Sequence, residues 1–223
     1  MGSNEPVIDC WHRTGASRRR DVDPELTQAL GQYLAPRRPP LVPELELWLV
    51  AGHVDLNARC AELLAGGYAP YWAFCWGSGQ ALARYVLDHP QIVGDKVIVD
   101  FGAGSAVVAL AAARAGARRA IAVDIDPKAR AFAALNAARN ALTIETSARV
   151  PAQWDVLFAA DVLYEEPIAR WLQACAREGG LVYVSDPHRH GAPRLAREPL
   201  LSMRATTCPD VDYPICNAFI HRL

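Results

Sequence analysis

The sequence predicts a three-layer α/β fold around a mostly parallel sheet of the nucleotide-binding type, and three stretches carry that prediction. The first is Lys96 to Asp124: a β-branched run (Lys96 to Phe101), two glycines (Gly102, Gly104), an alanine-rich helix from about Ser105 to Ala115, and a second strand (Ala120 to Val123) ending on an acid. A β-branched run suits a strand buried on both faces, and glycines directly after it bring backbone N–H groups to a ligand at the next helix's N-terminus. The second is an amphipathic helix opened by Asp126 and Pro127, which continues the alternation of strand and helix. The third is a closing pair of strands, Leu200 to Thr207 and Cys216 to Arg222, with Pro209 and Pro214 in the turn. Such an antiparallel end separates this sheet from the dinucleotide-binding one.

Before the first strand the chain divides into three parts. Residues 1–23 are polar, lack a period and are expected to form a loose arm. Asp23 and Pro24 look like the cap and first position of a helix with Leu26, Ala29, Leu30, Tyr33 and Leu34 at helical spacing, stopped by Pro36 to Pro43. Leu45 to Val50 reads as an edge strand and Leu56 to Ala65 as a short helix. Together residues 1–65 are expected to be an N-terminal arm and cap, with the main domain over 66–223. Tyr68 to Trp76 then carries five aromatic residues just before Gly77-Ser78-Gly79 and a helix ending at Pro90. These rings fit either a core patch under the cap or, for Trp76, a wall over a bound ligand.

Beyond Asp124, Asn136 and Asn140 are expected to face outward or to cap the end of their helix. Leu142 to Thr146 is a short third strand. Trp154 to Asp161 is the fourth, and Asp161 then lies where an open parallel sheet gathers its active-site groups. Asp161 also suits the cap of a helix over Glu165 to Glu178. Gly180 to Asp186 is the fifth strand, followed by Pro187-His188-Arg189-His190. An H-x-H in such a loop, with no third ligand, is a poor metal site.

Composition excludes several classes of function. A net charge of −1 with 21% charged residues argues against broad nucleic-acid binding, which needs a basic face. The six cysteines show no C-x-x-C spacing, so neither a zinc site nor a disulfide framework is indicated and a reducing compartment is expected. No apolar run reaches membrane-span length and no secretory signal is legible. A cytoplasmic protein is expected; the Arg-rich stretch 13–20 leaves the mitochondrial matrix open, against Glu5 and Asp9.

The glycine turn decides the ligand class. A dinucleotide fingerprint wants a third glycine at position 107, where Val107 stands. The strand instead ends in Asp100 before Gly-Ala-Gly (D-F-G-A-G-S-A), which resembles the first motif of the class I S-adenosylmethionine-dependent methyltransferases. The commonest form of that motif has glycine where Ala106 sits. The run P-Y-W-A-F-C-W-G-S-G-Q-A-L-A-R-Y-V-L-D-H-P, then D-I-D-P at 124–127, D-V-L-Y at 161–164 and D-P-H-R at 186–189, resembles one branch: the seven-β-strand protein-lysine methyltransferases, in particular the electron-transfer flavoprotein β-subunit lysine methyltransferase group and its bacterial relatives. The N-P-P-Y of DNA and glutamine amino-methylating enzymes is absent.

That resemblance implies a strand order 3-2-1-4-5-7-6 and a methyl transfer from S-adenosylmethionine to a protein lysine. It places Asp100, Gly102 and Gly104 around the donor's amino-acid end and Asp124 on its ribose, about twenty residues past the glycines as hydrogen bonding to ribose hydroxyls requires. It puts Trp76 over the donor, Trp154 and Ala160 beside its adenine, and Asp161 with Tyr164 at the acceptor amine. Asp186 and Arg189 would line the mouth. The expected partner is a protein, with the electron-transfer flavoprotein β-subunit as the suggested one, and not a nucleic acid or a membrane. A small-molecule N-methyltransferase and a non-catalytic donor-fold protein are the alternatives.

Overall fold

The computed structural model describes residues 34–51, 70–164, 166–188, 195, 198–210 and 215–223. The arm at 1–23, most of the helix expected from Pro24, the helix expected at Leu56 to Ala65, and Arg189, His190 and Pro214 lie outside the described residues.

Strand β3 (Val97–Phe101) is buried at every position, as its β-branched run requires. Helix α2 (Val107–Arg114) returns the chain to β4 (Arg119–Val123), which pairs with β3 in parallel from Val97↔Arg119 to Phe101↔Val123. Helix α3 (Pro127–Arg139) leads to β5 (Glu145–Ser147), then β6 (Val156–Ala160), helix α4 (Glu166–Arg177), β7 (Leu181–Asp186), β8 (Leu201–Ala205) and β9 (Cys216–Arg222). The seven strands run β5-β4-β3-β6-β7-β9-β8, which is 3-2-1-4-5-7-6 in sequence order. β9 alone runs opposite to the other six strands. The fold expected from the sequence is the fold observed.

Alternate residues of each strand feed two cores. Ile98, Ala120, Ala122, Val156 and Phe158 face α1 (Gly77–Asp88) and α2, while Val99, Ile121, Val123, Leu157 and Val184 face α4 with its Ile168, Ala169 and Leu172. Period-two alternation with both faces apolar is what a covered parallel sheet demands.

The N-terminal segment differs from expectation. Leu34 does not end a helix; it opens strand β1 (Leu34–Arg37), antiparallel to β2 (Leu47–Val50) in a separate two-stranded sheet. Pro36 explains this, since its ring disfavours the helical region for Ala35 and its missing N–H is tolerated on an edge strand. This pair is the observed part of the expected cap, and side-chain amides fasten it down. Gln80, fully buried, donates from Nε2 to the carbonyls of Cys75 (2.9 Å) and Thr206 (2.7 Å) and accepts the N–H of Leu41 (3.4 Å).

Asn136 and Asn140 complete the fastening: Asn140 takes the C-cap position of α3, as one of the two readings had it, and for Asn136 the outward-facing reading is corrected. Asn136 is 0% exposed: its Oδ1 accepts the N–H of Trp48 at 2.7 Å and its Nδ2 donates to the carbonyl of Ser105 at 3.0 Å. Asn140 accepts the N–H of Glu46 at 2.9 Å and donates to its carbonyl at 2.8 Å. Backbone groups of β2 and of the turn before α2 are buried there and need partners, which two amides on one helix face provide. Arg139 adds an ion pair to Glu46 and sits 5.3 Å over the Trp48 ring.

Candidate active site

The parallel strands β3, β4, β6 and β7 end along one edge, and the loops leaving that edge build the site. After Phe101 the chain turns across the end of β4, with the N–H groups of Gly102 and Ala103 both donating to the carbonyl of Val123 at 2.9 and 3.0 Å. Gly102 and Gly104 have φ of +67° and +50°, a conformation that other residues adopt only with strain. A Cβ at Gly102 would also lie 2.7 Å from Val162 Cγ1. The turn ends at Ala106, left-handed at φ +61°, where the family's commonest motif has glycine. Its methyl is 0% exposed, so it fills core and not the cleft.

Asp124 ties this turn to the second strand. Its Oδ2 accepts the N–H of Gly104 and its Oδ1 that of Asp126, each at 2.9 Å. Burial pushes its pKa up, and the two N–H bonds oppose that rise. Arg130 donates to the carbonyls of Asp124 and Ile125, at 2.7 and 2.9 Å, and fixes the strand exit.

Asp100 has a place of its own. It is 2% exposed, and its Oδ2 accepts the N–H of Ala109 at 2.9 Å, in the first turn of α2. Ala106, at the N-cap position, has no side chain able to cap, so a carboxylate from the adjacent strand takes that role. Burial raises Asp100 to about 7, with the Asp124 charge adding to the rise and the Ala109 bond opposing it.

At the end of β6, half-buried Ala160 leads into D-V-L-Y. Val162 and Leu163 are 6% and 1% exposed and lock the segment into the α4-side core, leaving half-buried Asp161 and exposed Tyr164 at the surface. Asp161 is left-handed (φ +55°), and its N–H donates to the carbonyl of Ser185 on β7 at 2.9 Å. Helix α4 starts five residues further on, at Glu166, so Asp161 is not its adjoining cap. On β7 the Asp186 carboxylate accepts the N–H of His188 at 2.7 Å, and the His188 ring stacks on Phe219. Among the described residues no group of three or more His, Cys, Asp and Glu is placed to hold a metal.

Of the two readings of the aromatic stretch, core packing is what the structure shows at Trp72. Trp72 is 2% exposed and stacks on Phe132 of α3 at 4.2 Å, and its Cα lies 3.7 Å from where a Gly104 Cβ would be, which sets residues 71–73 over the glycine turn. Half-buried Trp76 sits at the N-cap position of α1, its indole N–H donating to the Tyr71 carbonyl at 3.0 Å. Tyr71 is 59% exposed.

Trp154 is the one expected site residue that the geometry removes. It precedes β6, and its ring lies against the residue that precedes β7: a Cβ at Gly180 would be 2.5 Å from Trp154 Cη2. Val156 pairs with Leu181, so this is the amino edge, and a five-residue strand separates it from the carboxyl edge by roughly 16 Å. It cannot flank a ligand at the glycine turn.

Comparison with known proteins places this arrangement. A family model described as ribosomal protein L11 methyltransferase (PrmA) matches residues 79–182. The electron transfer flavoprotein beta subunit lysine methyltransferase of Xenopus laevis is 34% identical over 185 residues, covering 75% of this chain and 75% of its own length. The chain belongs to the electron transfer flavoprotein β-subunit lysine methyltransferase family. The human member is 36% identical over 145 residues, 60% of this chain and 55% of its own length, so the match spans little more than half of that relative. In fold, the chain resembles magnesium protoporphyrin IX methyltransferase of Synechocystis, solved with bound S-adenosylmethionine: TM-score 0.51 and 13% identity, over 77% of this chain and 86% of the other.

The family's cofactor is S-adenosylmethionine, and the residues at the carboxyl edge fit it. The glycine turn leaves a cradle that side chains would fill or strain, and Asp124 offers acceptors at ribose distance along the chain. Two buried polar atoms near the turn, Trp72 Nε1 and Ser78 Oγ, have no hydrogen-bond partner among the described residues. Ser78 lies in the first turn of α1, which packs on the first turn of α2, a Cβ at Gly79 falling 3.2 Å from Val107 Cγ1. Buried orphan donors are costly, and the elements that carry these two pack against the glycine turn and the start of α2. Sequence reasoning singled out Trp72 with Trp76 in the aromatic stretch and missed Ser78.

Proposed function

We propose that this chain transfers a methyl group from S-adenosylmethionine to the side-chain amine of a protein lysine, with the electron-transfer flavoprotein β-subunit as its substrate. The observation that carries the reading is the family match over three quarters of both chains in the frog relative. The surface position of Asp161 and Tyr164 at the carboxyl edge supports it.

When bound, S-adenosylmethionine supplies a methyl group on an electrophilic sulfonium. The chain's own task is then alignment and exclusion of water. Gly102 and Gly104 hold the donor's amino-acid end, Asp124 accepts from its ribose hydroxyls, and Ala160 lies beside the adenine. Trp76 walls the site from α1. Asp161 accepts hydrogens of the incoming amine and Tyr164 lines its approach. A lysine of ordinary pKa, about 10.4, is neutral only about once in 2,500 molecules at pH 7. A site that desolvates the amine while a carboxylate aligns its hydrogens recovers part of that deficit.

Mass spectrometry of purified electron-transfer flavoprotein incubated with the chain and donor tests this. Added methyl groups on β-subunit lysines are expected, at a rate that rises between about pH 7 and 9 as the amine deprotonates. An unmodified flavoprotein alongside ready methylation of nicotinamide or another small amine would replace this reading with the small-molecule one.

A further inference from the structure

We propose that Asn136 is a positioning residue for the donor loop: by holding the Ser105 carbonyl it keeps Ala106 in its left-handed, donor-ready conformation. The inference rests on the reading of the glycine turn as the donor site. Ala106 sits at φ +61°, where a residue with a Cβ is strained and glycine is at ease. Such a conformation persists only where the surroundings over-determine it.

Two bonds fix the peptides around Ala106. Its own N–H donates to the Ala103 carbonyl at 2.7 Å, closing the turn from inside. The carbonyl of the same peptide unit, that of Ser105, points the other way and accepts Asn136 Nδ2 at 3.0 Å. A peptide plane held at both its N–H and its C=O cannot flip. Release of the carbonyl lets the plane rotate, and Ala106 then relaxes toward the right-handed region with the loss of its N–H bond. Asn136 is itself held, because its Oδ1 accepts the N–H of Trp48 in β2 at 2.7 Å and the residue is fully buried. Among the described residues the side chain of Asn140, one turn on, bonds to Glu46 and to the Asn136 carbonyl and not to the loop.

The test compares Asn136→Ala, Ala106→Gly, their combination, and Asn140→Ala, with S-adenosylhomocysteine as the calorimetric probe. Asn136→Ala is expected to weaken binding on the order of tenfold, the size of a left-handed penalty released into the free loop. Adding Ala106→Gly, which removes that penalty, is expected to restore most of the loss. Asn140→Ala is expected to lower the melting temperature with binding within about twofold. Ala106→Gly is expected to raise affinity far less in the wild-type background than in the Asn136→Ala one, because Asn136 already holds the loop. Rescue that fails, or a tenfold gain from Ala106→Gly alone, would overturn the proposal. If the wild-type chain binds no S-adenosylhomocysteine, the donor-site reading fails, but amide hydrogen exchange at Ala106 in the free protein still decides the loop: faster exchange in Asn136→Ala supports the hold, and unchanged exchange refutes it. Should Asn136→Ala not fold, Asn136→Asp, which keeps the Oδ1 acceptor for Trp48 and loses the Nδ2 donor to Ser105, takes its place in both arms with the same expected outcomes.

Discussion

The Asp124 carboxylate accepts the backbone N–H of Gly104 at 2.9 Å, so the residue that closes the second strand also sets the shape of the turn after the first. One oxygen serves the loop and the other the start of α3, through Asp126, and lone pairs remain on both for a ribose. On the proposed reading, donor binding and loop geometry are joined in one side chain.

Asp124→Ala therefore removes a loop anchor together with the ribose acceptors. Hydrogen bonds to a charged group contribute about 1.5 to 3 kcal/mol each, so donor affinity should drop at least tenfold. Calorimetry with S-adenosylhomocysteine reads this directly, and an unchanged dissociation constant would remove Asp124 from the site.

Asp100 makes stability depend on pH. Its folded pKa, about 7, lies above the unfolded value, so the native state keeps a proton that the unfolded chain has released. The stabilisation is complete below the unfolded value near 4 and is lost as pH rises through about 7, a decline of a few kcal/mol. Asp100→Asn keeps a carbonyl for the Ala109 N–H and removes the titration. In urea unfolding of the free protein it should gain on the wild type from pH 5 to pH 8; a constant gap between the two proteins would contradict this.

For Asp161 the left-handed backbone dictates the choice of variant. Asparagine accepts that conformation whereas alanine strains it, so Asp161→Asn changes the charge and little else. Donor affinity should stay within about twofold while kcat on a lysine substrate falls at least tenfold. Normal turnover would show that the carboxylate takes no part in aligning the amine.

Trp154→Leu tests the distinction between the two edges of the sheet. Removal of the ring that covers Gly180 should cost about 1 to 3 kcal/mol of stability and leave donor affinity unchanged. A tenfold loss of affinity at constant melting temperature would return Trp154 to the donor site.

The residues that were legible in the sequence, and those that were not, differ in what specifies them. β3 and the glycine turn are local features, written in a β-branched run and two positive-φ positions. Asp124 and Asp161 follow from chain order, as the ends of parallel strands. Chain order also spoke against Trp154, since a residue before a parallel strand lies at its amino edge. Asn136 was read as facing outward or capping although it carried a signal to the contrary: it falls on the stripe Ala129, Phe132, Ala133, Asn136, Ala137, and a polar residue on an apolar face implies a buried partner. Ser78 had no such signal, because its place beside the turn depends on how α1 packs against α2.

The amides that seat β2 bond to peptide groups, the N–H of Trp48 and both groups of Glu46, and those are atoms that every residue but proline supplies. The exposed residues of the connection between β1 and β2, Pro40 and Pro43 among them, are therefore open to divergence, while the two asparagines on α3 are not. A lineage that met a new acceptor protein would be able to rewrite one surface of the hairpin and inherit its attachment intact.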